Sequence, residues 1–224
     1  MTRFVALLSA VAVVTLGGYL FLNQPGSSAP AANPLIGAAN AQTAAEIDTS
    51  SVIEMSMGAE DAPVTLIEYA SYTCPHCANF HAGPFKQIKA NYIDTGKVRL
   101  IYREVYFDRY GLWASMIARC GGPEKFFGIT DLIYKGQASW SRAGGAPEIV
   151  GELRKIGSLA GLGEDMIEAC LQDADNAQTL IAWYQKNAAA DDVTATPSFV
   201  LNGRKVSNQS YADFARLLDA ELGE

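Results

Sequence analysis

Two cysteines separated by two residues, in Cys74-Pro75-His76-Cys77, stand where a strand-like run gives way to a helical pattern. No other feature constrains the chain as tightly. Both neighbours of the motif must be regular elements, and the thiols must share the first turn of a helix. Upstream, Pro63 to Ala70 is short, apolar and β-branched, the signature of a strand. Downstream, Phe80, Phe85, Ile88 and Tyr92 recur at helical spacings from Pro75 to about Asn91, with a break predicted at Gly83-Pro84. After Gly96, Val98 to Tyr102 reads as a second strand. Strand, helix and strand in that order predict a βαβ unit with parallel strands.

The middle of the chain reads as helix. Leu112 to Cys120, Glu124 to Tyr134, Pro147 to Leu159, Glu164 to Gln172 and Ala174 to Ala189 are helical segments, most of them set apart by glycines. Ser198 to Leu201 and Arg204 to Val206 flank Asn202-Gly203, a tight hairpin signal. Tyr211 to Leu222 closes as an amphipathic helix, with Tyr211, Phe214, Ala215, Leu217 and Leu218 inward.

A helix start suits paired thiols to reversible disulfide chemistry. Free backbone N–H groups and the positive end of the helix dipole face the first sulfur and favour its thiolate. Cys74 is thus the expected nucleophile, and Cys77, one turn inward, the resolving thiol. His76 adds a donor or positive charge beside Cys74. Two other readings stand beside this one. Cys74, Cys77 and His81 supply three ligands for zinc, but a second Cys-x-x-Cys is missing. A static disulfide closing so short a loop stabilises little. His81 is placed on the surface or core edge of the first helix, with no role. Glu68 reads either as an exposed edge charge or as a buried carboxylate beneath the cysteines, able to move a proton to or from Cys77. Pro197, in Thr196-Pro197, reads as a strand-start proline. The tryptophans are core or groove residues, and Asp191-Asp192 a solvated turn.

Phe4 to Leu22 is 19 residues without a charge, preceded by Arg3. As a helix it would span about 28 Å, close to a bilayer's hydrocarbon thickness. Ala39-Asn40-Ala41 offers a small-residue cleavage pattern well beyond it. A cleaved signal and a membrane anchor both fit, and either places the rest of the chain outside the cytoplasm. Residues 23–50, rich in Ala, Pro, Gly, Ser and Asn, read as a linker, and one domain is expected over 51–224. That domain carries 16 basic and 22 acidic residues, net −6, which argues against nucleic acid as a partner. Four cysteines in 224 residues are too few for a disulfide-dense scaffold.

With Cys-Pro-His-Cys and the later Thr196-Pro197-Ser198-Phe199, the chain from about Ser51 resembles the DsbA family of thiol:disulfide oxidoreductases. The resemblance implies an α/β thioredoxin fold with an inserted all-helical subdomain, at about 108–190. It implies a cis bond before Pro197, which then faces the cysteines, and a glutamate at the strand position of Glu68 that is buried. Thr196 would offer backbone groups to an extended substrate peptide. Some members carry a second bridge in the helical block. Pairing 74 with 77 leaves Cys120 with Cys170, to be read as such a bridge or as two buried thiols. The family's chemistry is donation of the Cys74–Cys77 disulfide to cysteine-containing proteins as they fold in the periplasm. A DsbB-like membrane oxidase then restores the disulfide. A reductase or isomerase, and a tethered chaperone-like binder, are the alternatives. The reading calls for no cofactor, no metal, and a monomer.

Overall fold

The structure is a computed structural model, and it describes residues 47–224. The run Phe4 to Leu22, the Ala39-Asn40-Ala41 pattern and most of the linker lie outside the described residues. Among the described residues no helix is long and apolar enough to cross a membrane.

Chain order is β1 (Met55–Met57), β2 (Val64–Ala70), α1 (Pro75–Ala82), α2 (Pro84–Ile88), a π-helical turn (Lys89–Ile93) and β3 (Val98–Glu104). Five helices come next: α3 (Arg109–Cys120), α4 (Gly122–Trp140), α5 (Ala146–Leu159), α6 (Glu164–Gln172) and α7 (Ala174–Ala190). The chain ends with β4 (Ser198–Leu201), β5 (Arg204–Ser207) and α8 (Tyr211–Leu222). The sheet order is β1-β3-β2-β4-β5. β2 runs parallel to β3, Val64 opposite Val98, and every other pair is antiparallel. This is the thioredoxin fold, with α3 to α7 inserted between its two halves.

Local chemistry accounts for the punctuation. Gly83-Pro84 splits the first helix, because proline cannot donate to the ladder and opens α2 at its first turn. Asp108 caps α3 by accepting from the N–H groups of Tyr110 and Gly111 at 2.8 and 2.9 Å. Asn202 and Gly203 hold φ of 46° and 81°, which a two-residue hairpin turn requires. β1 has no counterpart in the sequence reading. Its three residues, Met-Ser-Met, are too few to show an alternation, and it is held by pairing with β3.

β2 is the central strand and is covered on both faces. On one face Val64 and Leu66 pack with Phe80, Ile88, Phe199, Phe214 and Leu218 beneath α1 and α8. On the other, Tyr69 packs with Val200 and Ala188 of α7. Glu68 shares a face with Leu66 by strand alternation, so it is turned toward α1. A further core joins Tyr72, Cys77 and Tyr102 to Phe126, Ile129 and Ile133 of α4 and Leu153 of α5.

Cys120 and Cys170 form a disulfide with Cα atoms 5.9 Å apart, tying the end of α3 to α6. They are not two free thiols. Asp191 corrects the expectation of a solvated turn. Its carboxylate accepts from the Tyr69 hydroxyl at 2.5 Å and from Arg103 at 3.2 Å, pinning the end of α7 to the sheet. Asp192 beside it is exposed and has φ 50°.

Candidate active site

β2 ends at Ala70, and the next four residues carry the chain to Cys74, which occupies the position before the first turn of α1. Pro75 opens the helix, where its missing N–H loses no bond. Cys74 is half-buried and Cys77 fully buried, and both are free thiols. The difference in their surroundings is large. Cys74 is lowered to about 5, first by a hydrogen bond from the Cys77 thiol, then against a burial cost by the Thr196 side chain and the backbone N–H groups of Cys77 and His76. Cys77 is pushed far up. Burial is the main cause, then its bond to Cys74 and the negative charge of Glu68.

His76 differs in detail from the sequence expectation. Its ring is exposed and makes no hydrogen bond among the described residues. Its backbone N–H, not its imidazole, is what reaches the Cys74 sulfur. The Thr196–Pro197 bond is cis, and the loop it forms faces Cys74. As a thiol, Cys74 donates to the Thr196 carbonyl at 3.4 Å. The buried Thr196 hydroxyl has no partner in that state, so it is a free donor for the sulfur once the proton has gone.

The inserted helices hold the loop before the cysteines, and no sequence signal marked the residues that do so. Gln137 of α4 donates through its amide to the carbonyls of Tyr72 and Cys74, both at 2.8 Å. Tyr134 donates to the Ser71 carbonyl at 3.3 Å, and Tyr72 and Thr130 share a buried bond at 2.8 Å. The Thr73 hydroxyl donates to Asp108 at 2.7 Å. The carbonyls of Ser71, Tyr72 and Cys74 thus each accept from a side chain of α4, which fixes the backbone at Cys74 in place.

Beneath the cysteines lies Glu68, entirely buried, so it is not an edge charge. Its partner is His81. The His81 Nε2 lies 3.0 and 3.1 Å from the two carboxylate oxygens. His81 is buried to 7% exposure and stacks on Tyr134 with ring centroids 4.3 Å apart. This corrects the reading of His81 as a surface residue without a role. A lone histidine inside a helix carries little signal, but its place four residues after Cys77 puts both on one helix face. The His81 ring is turned to Glu68 through Nε2. Among the described residues no cluster of three or more His, Cys, Asp or Glu is placed to hold a metal.

A paired-thiol site on a helix start, a facing Thr-Pro loop and an inserted helical block define a DsbA-like protein of thioredoxin fold. The chain belongs to the thioredoxin family, whose model matches residues 50–220. It is 35% identical over 172 residues to a putative protein-disulfide oxidoreductase of Rickettsia bellii, an alignment covering 76% of this chain and 65% of the relative. The chain therefore spans just under two thirds of the length of that relative. It is 24% identical over 174 residues to disulfide bond formation protein D of Bacillus subtilis, covering 74% of this chain and 76% of that protein. Among solved structures it is similar to alpha-DsbA1 of Wolbachia pipientis, with TM-score 0.70 and 27% identity, covering 80% of this chain and 94% of that one.

Proposed function

We propose that this protein is an exported thiol:disulfide oxidoreductase that donates its Cys74–Cys77 disulfide to cysteine-containing proteins as they fold. The observation that carries this reading is the opposed bias of the two thiols: Cys74 lowered to about 5, Cys77 driven far up. A site that stabilises the Cys74 thiolate stabilises the reduced protein, and that makes its disulfide oxidising. The name of the Rickettsia relative, a putative protein-disulfide oxidoreductase, supports the same class of chemistry.

The reaction runs in two exchanges. A substrate thiolate attacks the Cys74 sulfur. The Cys74–Cys77 bond breaks, its electron pair goes to Cys77, and Cys77 takes a proton from the buried side, where Glu68 lies. A second substrate thiolate then attacks the substrate sulfur of the mixed disulfide, and Cys74 leaves as the thiolate its surroundings favour. Two electrons pass from the substrate dithiol to the protein. The extended substrate lies along the backbone of Thr196 and Pro197 in the manner of an added strand. The domain's net charge of −6 leaves apolar and main-chain contacts, not basic side chains, to hold it. Phe4 to Leu22 after Arg3 supports export to the periplasm, as a cleaved signal or an inner-membrane tether. A DsbB-like membrane oxidase restores the disulfide of a protein acting as a monomer.

The redox equilibrium with glutathione at pH 7 tests this. A potential near that of DsbA, about −120 mV, is the expected result; one at or below thioredoxin's, about −270 mV, makes the protein a reductase.

A further inference from the structure

The chemistry proposed above requires Cys77 to gain a proton when the disulfide opens and lose one when it closes. Cys77 is fully buried, so water does not reach it from the side of Cys74. The buried pair beneath it points elsewhere. Cys77 and His81 share one face of α1, where Glu68 of β2 meets His81 and its negative charge acts on Cys77. His81 uses only Nε2 on Glu68, and its Nδ1 makes no hydrogen bond among the described residues. Its residual exposure opens into a cavity of about 300 Å³ lined by Met57, Phe127, Gly128, Thr130, Lys86 and Asp131, among others. None of residues 73–77 lines it. The cavity has room for several waters, and Thr130, Lys86 and Asp131 give them polar partners.

We propose that His81 is a positioning residue that carries the proton of Cys77, through Glu68, between the buried thiol and water in this cavity. On closure of the disulfide, Nε2–H keeps donating to one Glu68 oxygen, the Cys77 proton passes to the other oxygen, and His81 gives up its Nδ1 proton to cavity water, so one proton enters the pair and one leaves it. On opening, the sequence reverses. The charged and titratable groups around His81 are Glu68 on β2, Cys77 on α1, Tyr102 on β3, Tyr134 and Asp131 on α4, and Lys86 and Lys89 beyond α1. The thiol exchange therefore has two openings, one for the substrate at Cys74 and one for the proton. This inference rests on the dithiol–disulfide reading of the preceding section.

Stopped-flow mixing of the reduced protein with oxidised glutathione separates the steps. Cys74 first forms a mixed disulfide with one glutathione. Cys77 then attacks the Cys74 sulfur, the Cys74–glutathione bond breaks, and glutathione leaves with the electron pair. His81→Gln keeps a donor for Glu68 but cannot relay a proton. It is expected to slow closure at pH 7 by about ten-fold or more, and to make the rate rise with hydroxide across pH 5–9. The first step and the Cys74 thiolate titration stay as in the unaltered protein. His81→Lys, a transferable ammonium, recovers most of the rate. Gly128→Leu tests the cavity without touching the pair. A Cβ there meets nothing within 4 Å, and leucine favours the helix, so the variant folds and fills the opening. It too is expected to slow closure, by about three-fold or more. Closure in both His81→Gln and Gly128→Leu within about two-fold of the unaltered protein at every pH overturns the proposal. Should His81→Gln not fold, the Gly128→Leu rate decides alone. A reduced protein that never forms the mixed disulfide contradicts the dithiol reading itself, and this inference falls with it.

Discussion

Cys74 and Cys77 lie within one turn of a single helix, whereas Cys120 and Cys170 lie 50 residues apart and tie together two helices. The first pair sits at the junction of a central strand, a helix start and the Thr196-Pro197 loop. The second sits wholly within the inserted helices. A bridge between 74 and 77 removes little freedom from the unfolded chain, while one between 120 and 170 closes a long loop. Stabilisation and reactivity are thus divided between the pairs. What makes the first pair reactive is asymmetry. The same thiol is held down at Cys74 by donors and driven up at Cys77 by burial and by Glu68.

The largest effect that would break this division is on stability. Replacing Cys120 and Cys170 by alanine is expected to lower unfolding stability by about 4 kcal/mol in urea, the entropic cost of a loop of that length. The Cys74 thiolate titration should not move. A shift in that titration would mean that the second bridge takes part in the redox site. Next is Gln137→Leu, which strips the Tyr72 carbonyl of its donor and leaves the Cys74 carbonyl with only its helix bond from Ala78. Urea unfolding should show a loss of about 1–3 kcal/mol, with slower exchange at Cys74, because the Tyr72 carbonyl is left unpaired. A neutral outcome would show that the loop is held by the strand and α1 alone. The smallest effect concerns His76. His76→Ala is expected to raise the Cys74 titration midpoint by no more than about one unit, since the backbone N–H that reaches the sulfur is kept. A larger shift would put the imidazole, not the helix start, in charge of the thiolate.

Most of the fold was legible because its elements repeat a period. β2, α1, β3, the Asn202-Gly203 hairpin and α8 all arise from apolar spacing and turn residues. Boundaries moved where capping decided them. α3 begins at Arg109 and not Leu112, because Asp108 caps it, and α4 runs on to Trp140. β1 was invisible, since its strand state comes from β3. At the site, both cysteines, Glu68 and the Thr196-Pro197 loop were visible as motifs or by resemblance. Gln137, Tyr134 and His81 were not. Their partners lie on other elements, 65 residues away for Gln137 with Tyr72, and local pattern carries no trace of such a contact. The spacing of Cys77 and His81 on one helix face, with a glutamate on the strand before it, was the one available hint.

The central claim is that the setting of Cys74, and not of Cys77, creates a thiolate at neutral pH. Its consequence for stability has a definite sign. A lowered Cys74 adds stability to the reduced protein that is fully present above the unfolded thiol's value, about 8.5, and is lost as pH falls through about 5. The raised Cys77 opposes it only above about pH 8.5, where the unfolded thiol ionises. The direct measurement is thiolate absorbance at about 240 nm of the reduced protein between about pH 3 and 9, with the Cys77→Ala variant beside it. The account predicts a single thiolate with a midpoint near 5 in the unaltered protein and a higher midpoint in the alanine variant, which has no side-chain donor at position 77. A first midpoint at about 8 to 9, the value of an ordinary cysteine, would contradict it.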